Sequence, residues 1–125
     1  MLFDTDILIW AQRGNKKAAQ LIDKGSKRMI SIYTFMELLQ GARGKTDQKY
    51  IKDFLFDFEF DVLPLTENIG HRAAIYIAEY GLSTGIRAGD AIIAATATEH
   101  NLPLSTSNKK HFTSIHDLNL KIFIP

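Results

Sequence analysis

Short β-leaning runs separated by longer stretches of helical spacing recur along the whole chain, and this alternation limits the possible fold more than any other feature. The runs cover residues 1–3, 29–32, 60–63, 104–105 and 121–124. A short apolar strand, a helix and another such strand predict a βαβ unit. The expected fold is therefore α/β, with a central parallel sheet of four or five strands and helices on both faces. No repeat, low-complexity tract or linker rich in proline, glycine or serine divides residues 1–125, which predicts one domain across that length. Folding a chain of this size removes roughly two-thirds of its surface from water, enough for a core without staples.

The helical stretches carry recognisable ends. Asp6 leads into ILIWAQRG, where Gly14 is a natural stop, and Thr34 leads into FMELLQGARG, closed by Gly41 and Gly44. After Lys45, the residues Tyr50, Ile51, Phe54, Leu55 and Phe58 recur at helical spacing, while Phe56 and Phe60 fall off that stripe. Those two aromatics are read as core packing, with a partner surface as the alternative. Ala91, Ile92, Ile93, Ala94, Ala95 and Ala97 are apolar nearly all round, as in a central buried helix.

Composition removes several function classes. The chain has no cysteine, which excludes disulfides, zinc-thiolate centres and thiol nucleophiles and fits a reducing compartment. The opening MLFDTDILIW lacks the basic start and unbroken apolar stretch of a signal peptide, and no segment has the apolar length of a membrane span, so a cytoplasmic location is expected. A net charge of +1 implies no strongly basic clamp. Its distribution is uneven, since Arg13, Lys16, Lys17, Lys24, Lys27 and Arg28 stand against Asp23 alone. This face reads either as a solvated helix surface or as a phosphate contact.

Three acids follow β-leaning runs or lead buried helices. Asp4 ends the first run, which puts its carboxylate at the carboxyl edge of a parallel sheet, where such folds bind ligands. Capping of the next helix, by Asp4 or Asp6, is the structural alternative. Glu37 lies three residues after Thr34, the spacing of a capping box, yet its helix begins at the same sheet edge. Asp90 leads the alanine-rich helix, where a carboxylate needs a cap, a cation such as Arg87 or a metal to stay ionised. Clustered carboxylates are the ligands that hard divalent cations require for phosphodiester hydrolysis. Asn108, in LSTSNKKHF, follows a fourth β-leaning run back to that edge, with hydroxyls at Thr106 and Ser107; a plain polar loop is the alternative there.

FDTDILIW, SIYTFMELLQGA and GDAIIAATATEHNLPLSTSNKKHF, in this order and at these separations, resemble the PIN domain, and more narrowly the VapC-type toxins. The resemblance runs from the first strand to Phe112, and DAIIAATATEHNLPLSTSN is its most specific part. It implies metal-binding carboxylates at Asp4, Glu37 and Asp90, supported by Thr5 and Thr106, with Asn108 lining the site as a catalytic residue. It also implies a flavodoxin-like sheet, Mg²⁺ or Mn²⁺ as cofactor, single-stranded RNA as substrate, a VapB-like antitoxin as partner and a homodimer. One position departs from the pattern: many relatives carry a fourth acid before the phenylalanine, where this chain has His111 before Phe112. The departure leaves open whether one metal or two are held, and whether the imidazole contacts phosphate, orients water or is an idle surface group.

The expected activity is endoribonuclease cleavage by activated water, leaving 3′-hydroxyl and 5′-phosphate ends, in the toxin of a toxin-antitoxin pair. The alternatives are a PIN nuclease of RNA processing and a catalytically silent PIN binding module. A phosphatase forming an aspartyl-phosphate shares the FDTD acid pair, but it needs a lysine and a late acid pair, and GDAIIAA has no second acid beside Asp90. The four histidines show no paired arrangement near a lysine that would make a metal-free acid-base site.

Overall fold

In the computed structural model, which describes residues 1–125, seven helices surround a five-stranded sheet. The elements run β1 (Leu2–Phe3), α1 (Thr5–Gln12), α2 (Lys16–Lys24), β2 (Arg28–Ser31), α3 (Ile32–Gln40), α4 (Lys45–Asp57), β3 (Phe60–Leu63), α5 (Glu67–Thr84), α6 (Ala88–Glu99), β4 (Leu104–Thr106), α7 (Lys109–Phe112) and β5 (Leu120–Ile122). Every strand pair is parallel, with Leu2 opposite Met29 on one side and Leu104 on the other. Each connection between strands carries a helix, as parallel pairing demands. No helix is long and apolar enough to cross a membrane.

The sheet order is β3-β2-β1-β4-β5. It differs from the flavodoxin-like order 2-1-3-4-5 that the resemblance implied. β3 pairs with β2 on its outer side, and Phe60 at its start packs edge-on against Phe3 at a centroid distance of 5.9 Å. The chain therefore reverses direction across the sheet between β1 and β4. Ligands of open parallel sheets bind at the carboxyl ends of the strands beside such a reversal.

β1 is two residues long and wholly buried, and its period of two sends its side chains to opposite faces. Leu2 joins a core with Ile69, Tyr76 and the buried face of α6, whereas Phe3 joins Ile7, Leu8, Ile22, Leu38, Ile51 and Leu55 from α1 to α4. Each fully buried Leu, Ile or Phe in these layers contributes about 1.5–3 kcal/mol. α6 is buried from Ala91 through Ala97 except at Ile92, as its uninterrupted small apolar residues predict.

Three local readings change in three dimensions. Asp4, rather than Asp6, caps α1, its side chain accepting from Thr5 N. α3 begins directly after β2 with Ser31 as its cap, so Thr34 falls inside the helix and the Thr34–Glu37 capping box does not form. Phe56 is 83% exposed and takes no part in the core. Phe60, in contrast, packs against the second core as expected.

Candidate active site

The carboxyl end of β1 supplies Asp4, the second turn of α3 supplies Glu37 and the first turn of α6 supplies Asp90. Asp4 is 6% exposed. Its Oδ1 accepts from Thr5 N at 2.7 Å, and its Oδ2 accepts from Thr106 Oγ1 at 2.7 Å, across the β1–β4 reversal. Thr106 Oγ1 in turn accepts from Asn108 N at 3.0 Å, which ties the loop after β4 to the end of β1.

Glu37 belongs to a second group. The Thr5 hydroxyl donates to Glu37 Oε1 at 2.6 Å and shares a 3.0 Å hydrogen bond with the Thr34 hydroxyl. Residues of α1 and α3 are thereby joined by threonine hydroxyls that leave the second carboxylate oxygen of Glu37 outside the group. Thr34 and Glu37, a predicted backbone cap, instead serve this side-chain link.

Asp90 forms the third group, in the first turn of α6. Its Oδ2 lies 2.8 Å from His111 Nδ1, and that nitrogen is also 2.9 Å from the Asn108 side-chain amide. One ring nitrogen cannot serve both as donor and as acceptor: with a proton on Nδ1 it donates to the Asp90 carboxylate, and without one it accepts from the Asn108 N–H. Arg87, weighed above as the partner of Asp90, makes no ion pair with it. The His111 side chain is 22% exposed and lies against an acid, so it is not a free surface group. Tyr33 seats α3 against this helix: a Cβ built on Gly89 would lie 2.2 Å from the Tyr33 ring, so only glycine at this position permits the approach.

These groups share one electrostatic environment. Burial, and then the neighbouring charge of Asp6, push the Asp4 carboxyl up to about 7 against the opposing hydrogen bonds of Thr106 and Thr5; the charge of Asp90 adds to the rise. Burial and the charges of Glu37 and Asp90 also raise the Tyr33 hydroxyl above its ordinary value. The charge of Asp90 thus reaches Asp4, and those of Glu37 and Asp90 both reach Tyr33, although no three acidic or histidine side chains meet at one point as a finished set of ion ligands. Each instead has hydrogen-bond partners of its own.

The sequence reading passed over Asp6 except as a cap. In the fold, Asp6 Oδ2 accepts from Ser107 N at 2.9 Å and from Ser107 Oγ, while Asp6 Oδ1 is a buried side-chain oxygen with no partner. The signal available was the second acid of DTD, two residues from Asp4, but nothing in the sequence pairs it with Ser107. Acidic and hydroxyl oxygens make up this environment, the donor chemistry that suits a hard divalent cation. Together with a buried, unpartnered carboxylate oxygen and an anion as disfavoured as Asp4, they fit such an ion.

A groove of about 540 Å³ runs from Glu37 between α1, α3 and α4, past Ile9, Arg13, Arg43, Asp47 and Tyr50. On the basic face, Arg13, Lys16, Lys17, Lys24 and Lys27 are exposed. Arg28 is consumed structurally, donating to the carbonyls of Ile22, Asp23 and Phe58 and stacking on the Phe58 ring at 5.6 Å.

Comparison with known proteins gives a consistent result. Residues 1–117 match the family model described as PIN domain. The chain is 33% identical over 129 residues to a protein named Ribonuclease VapC10 from Mycobacterium tuberculosis, an alignment covering 100% of this chain and 95% of the relative. It is 31% identical over 124 residues to Ribonuclease VapC1 of Methanocaldococcus jannaschii, covering 98% and 86% of the two chains. Its structure is similar to that of a chain in a toxin-antitoxin complex from Klebsiella pneumoniae, with a TM-score of 0.77, 33% identity and coverage of 94% and 93%.

Proposed function

The chain belongs to the PIN domain family, and from that premise we propose that it is a divalent-metal-dependent endoribonuclease, the toxin of a VapBC-type toxin-antitoxin pair. Its substrate is single-stranded RNA, and its products carry 3′-hydroxyl and 5′-phosphate ends. The observation that supports this reading is the set of hydrogen bonds by which Thr5, Thr106, Asn108 and His111 connect Asp4, Glu37 and Asp90, from three separate stretches of chain, around the end of β1 beside the β1–β4 reversal.

Asp4, Glu37 and Asp90 would hold Mg²⁺ or Mn²⁺. Bound there, the cation supplies an activated water and neutralises charge developing on the phosphate. The chain's own groups do the positioning. Thr106 and Thr5 N orient Asp4, the Thr5 hydroxyl orients Glu37, and His111 orients Asp90. The Asn108 amide lines the site as a neutral polar group beside them. Exposed Arg13, which lines the same groove as Glu37, contacts the RNA backbone.

The groove that begins at Glu37 and passes Tyr50 accepts an arm of a VapB-like antitoxin, which covers the metal ligands and so inhibits the enzyme. Two copies of the chain form a homodimer. The test is incubation of the purified protein with a panel of RNAs in Mg²⁺, Mn²⁺ or chelator, with end mapping of the fragments. Metal-dependent cuts that vanish in chelator and on co-purification with the antitoxin are expected. Cleavage that persists in chelator, or an undiminished enzyme in the complex, refutes the respective part of the reading.

A further inference from the structure

We propose that Asp6 is a fourth carboxylate of the metal centre, anchored through Oδ2 by Ser107 and offering its buried Oδ1 to the cation or its water, in the place of the acid that His111 replaces. The proposal rests on the reading of Asp4, Glu37 and Asp90 as metal ligands and adds a residue to it.

Asp6 lies in the first turn of α1 but makes no bond to the helix's free amides, because Asp4 already occupies the capping position. Its Oδ2 is fully engaged by the backbone N–H and hydroxyl of Ser107, a contact that joins residues 101 positions apart. The side chain is therefore held in one orientation, and that orientation buries Oδ1 with nothing to accept from. A buried carboxylate oxygen without a donor is unfavourable, and native folds keep such atoms where an ion, water or chemistry uses them. The other acids of the site differ. Both oxygens of Asp4 accept hydrogen bonds, and Asp90 and Glu37 each have one oxygen engaged.

Charge counting points the same way. Many relatives carry an acid where His111 stands, and an imidazole bears no negative charge, so the last motif contributes none of its own. Asp6 and Asp4 are held by consecutive residues of the loop after β4, since Thr106 bonds Asp4 and Ser107 bonds Asp6. Two carboxylates anchored on one loop in this way supply hard oxygen donors of the kind a divalent cation takes.

A purely structural role makes a different prediction. If Asp6 only clamps the Ser107 loop, Asp6→Asn preserves the function, since the amide oxygen still accepts from both Ser107 donors. If Asp6 acts through charge, Asp6→Asn fails even with the clamp intact. The experiment is titration of the full-length, RNA-free protein with Mn²⁺ alone, followed by calorimetry and by electron paramagnetic resonance of the free ion, with Asp4→Asn and Asp90→Asn marking the site. Asp6→Asn is expected to weaken Mn²⁺ binding about tenfold or more, while in chelator it melts no lower than the parent. Ser107→Ala, which loosens the clamp and keeps the charge, is expected to bind Mn²⁺ within about threefold of the parent.

Parent-like Mn²⁺ binding by Asp6→Asn overturns the proposal while leaving the three-acid reading standing. A loss in Ser107→Ala as deep as that in Asp6→Asn also overturns it, because the effect then runs through the loop. So does an Asp6→Asn protein that no longer folds. A parent protein that binds no Mn²⁺ at a site sensitive to Asp4→Asn and Asp90→Asn overturns the metal reading itself.

Discussion

Replacing Asp4 by asparagine should destroy cleavage and, in the metal-free protein, strengthen the fold. Asparagine keeps the shape and both local bonds: its Oδ1 accepts from Thr5 N, and its Nδ2 donates to the Thr106 hydroxyl, which now serves as acceptor. What is removed is an anion that the site disfavours. A carboxyl moved from 3.8 to about 7 is penalised as the anion by about 4 kcal/mol. Between about pH 4 and 7 the native carboxyl holds a proton that the unfolded chain has lost. The native state then binds more protons, and metal-free stability falls as pH rises through that window. The asparagine protein lacks this loss. At pH 8 in chelator it should be more stable by about 2–4 kcal/mol, allowing for partial relaxation of the site, or roughly 8–15 °C in Tm for a chain of this length. Near pH 4 the two proteins should melt together. With Mn²⁺ present the order should narrow or reverse, because the parent alone gains binding energy. The assay is thermal unfolding by circular dichroism from pH 4 to 8, with and without metal, alongside RNA cleavage. An asparagine variant less stable than the parent at pH 8 in chelator, or a gap that does not change with pH, refutes the account of Asp4 as a disfavoured anion awaiting a cation.

Asp90→Asn and Glu37→Gln should each nearly abolish cleavage with the fold intact, measured by fragment analysis and circular dichroism; normal metal-dependent cleavage by either would remove that acid from the site. His111→Ala should reduce cleavage about tenfold at most, since the imidazole orients Asp90 and takes no proton from water. A loss as deep as that of Asp90→Asn would require a larger part for this residue. A single 2′-deoxy nucleotide at the cleaved position should remain cuttable, because water attacks instead of the neighbouring hydroxyl. Cyclic-phosphate ends by mass analysis, or resistance of the deoxy substrate despite normal binding, would exclude the hydrolytic mechanism.

Much of the fold was legible because secondary structure follows local period and punctuation. Alternating β-leaning and helical stretches specify a parallel α/β sheet, and the all-round apolar surface of residues 91–97 specifies a buried helix. The same local logic puts Asp4 at the end of the first strand and leads into helices near Glu37 and Asp90. That is enough to put Asp4 at the carboxyl edge, because every strand of a parallel sheet ends on the same side, whereas Glu37, inside α3, and Asp90, whose helix follows α5 and not a strand, are positioned by packing.

Contacts between distant segments were decided only by packing. The order β3-β2-β1-β4-β5 depends on which strand edges and cores fit, and it is this order that lays Thr106 against Asp4. Thr34 and Glu37 have the spacing of a cap, but β2 passes straight into α3, so Ser31 caps the helix and Thr5 claims both side chains. His111 could not be paired with Asp90, nor Ser107 with Asp6, from a sequence in which they stand 21 and 101 residues apart. Sequence by itself determined which residue types arrive at the edge of the sheet, since strand ends and helix starts are local properties of the chain. Tertiary structure decided which oxygens are engaged and which one is left free, since a hydrogen bond is settled by distances that only the packed fold creates.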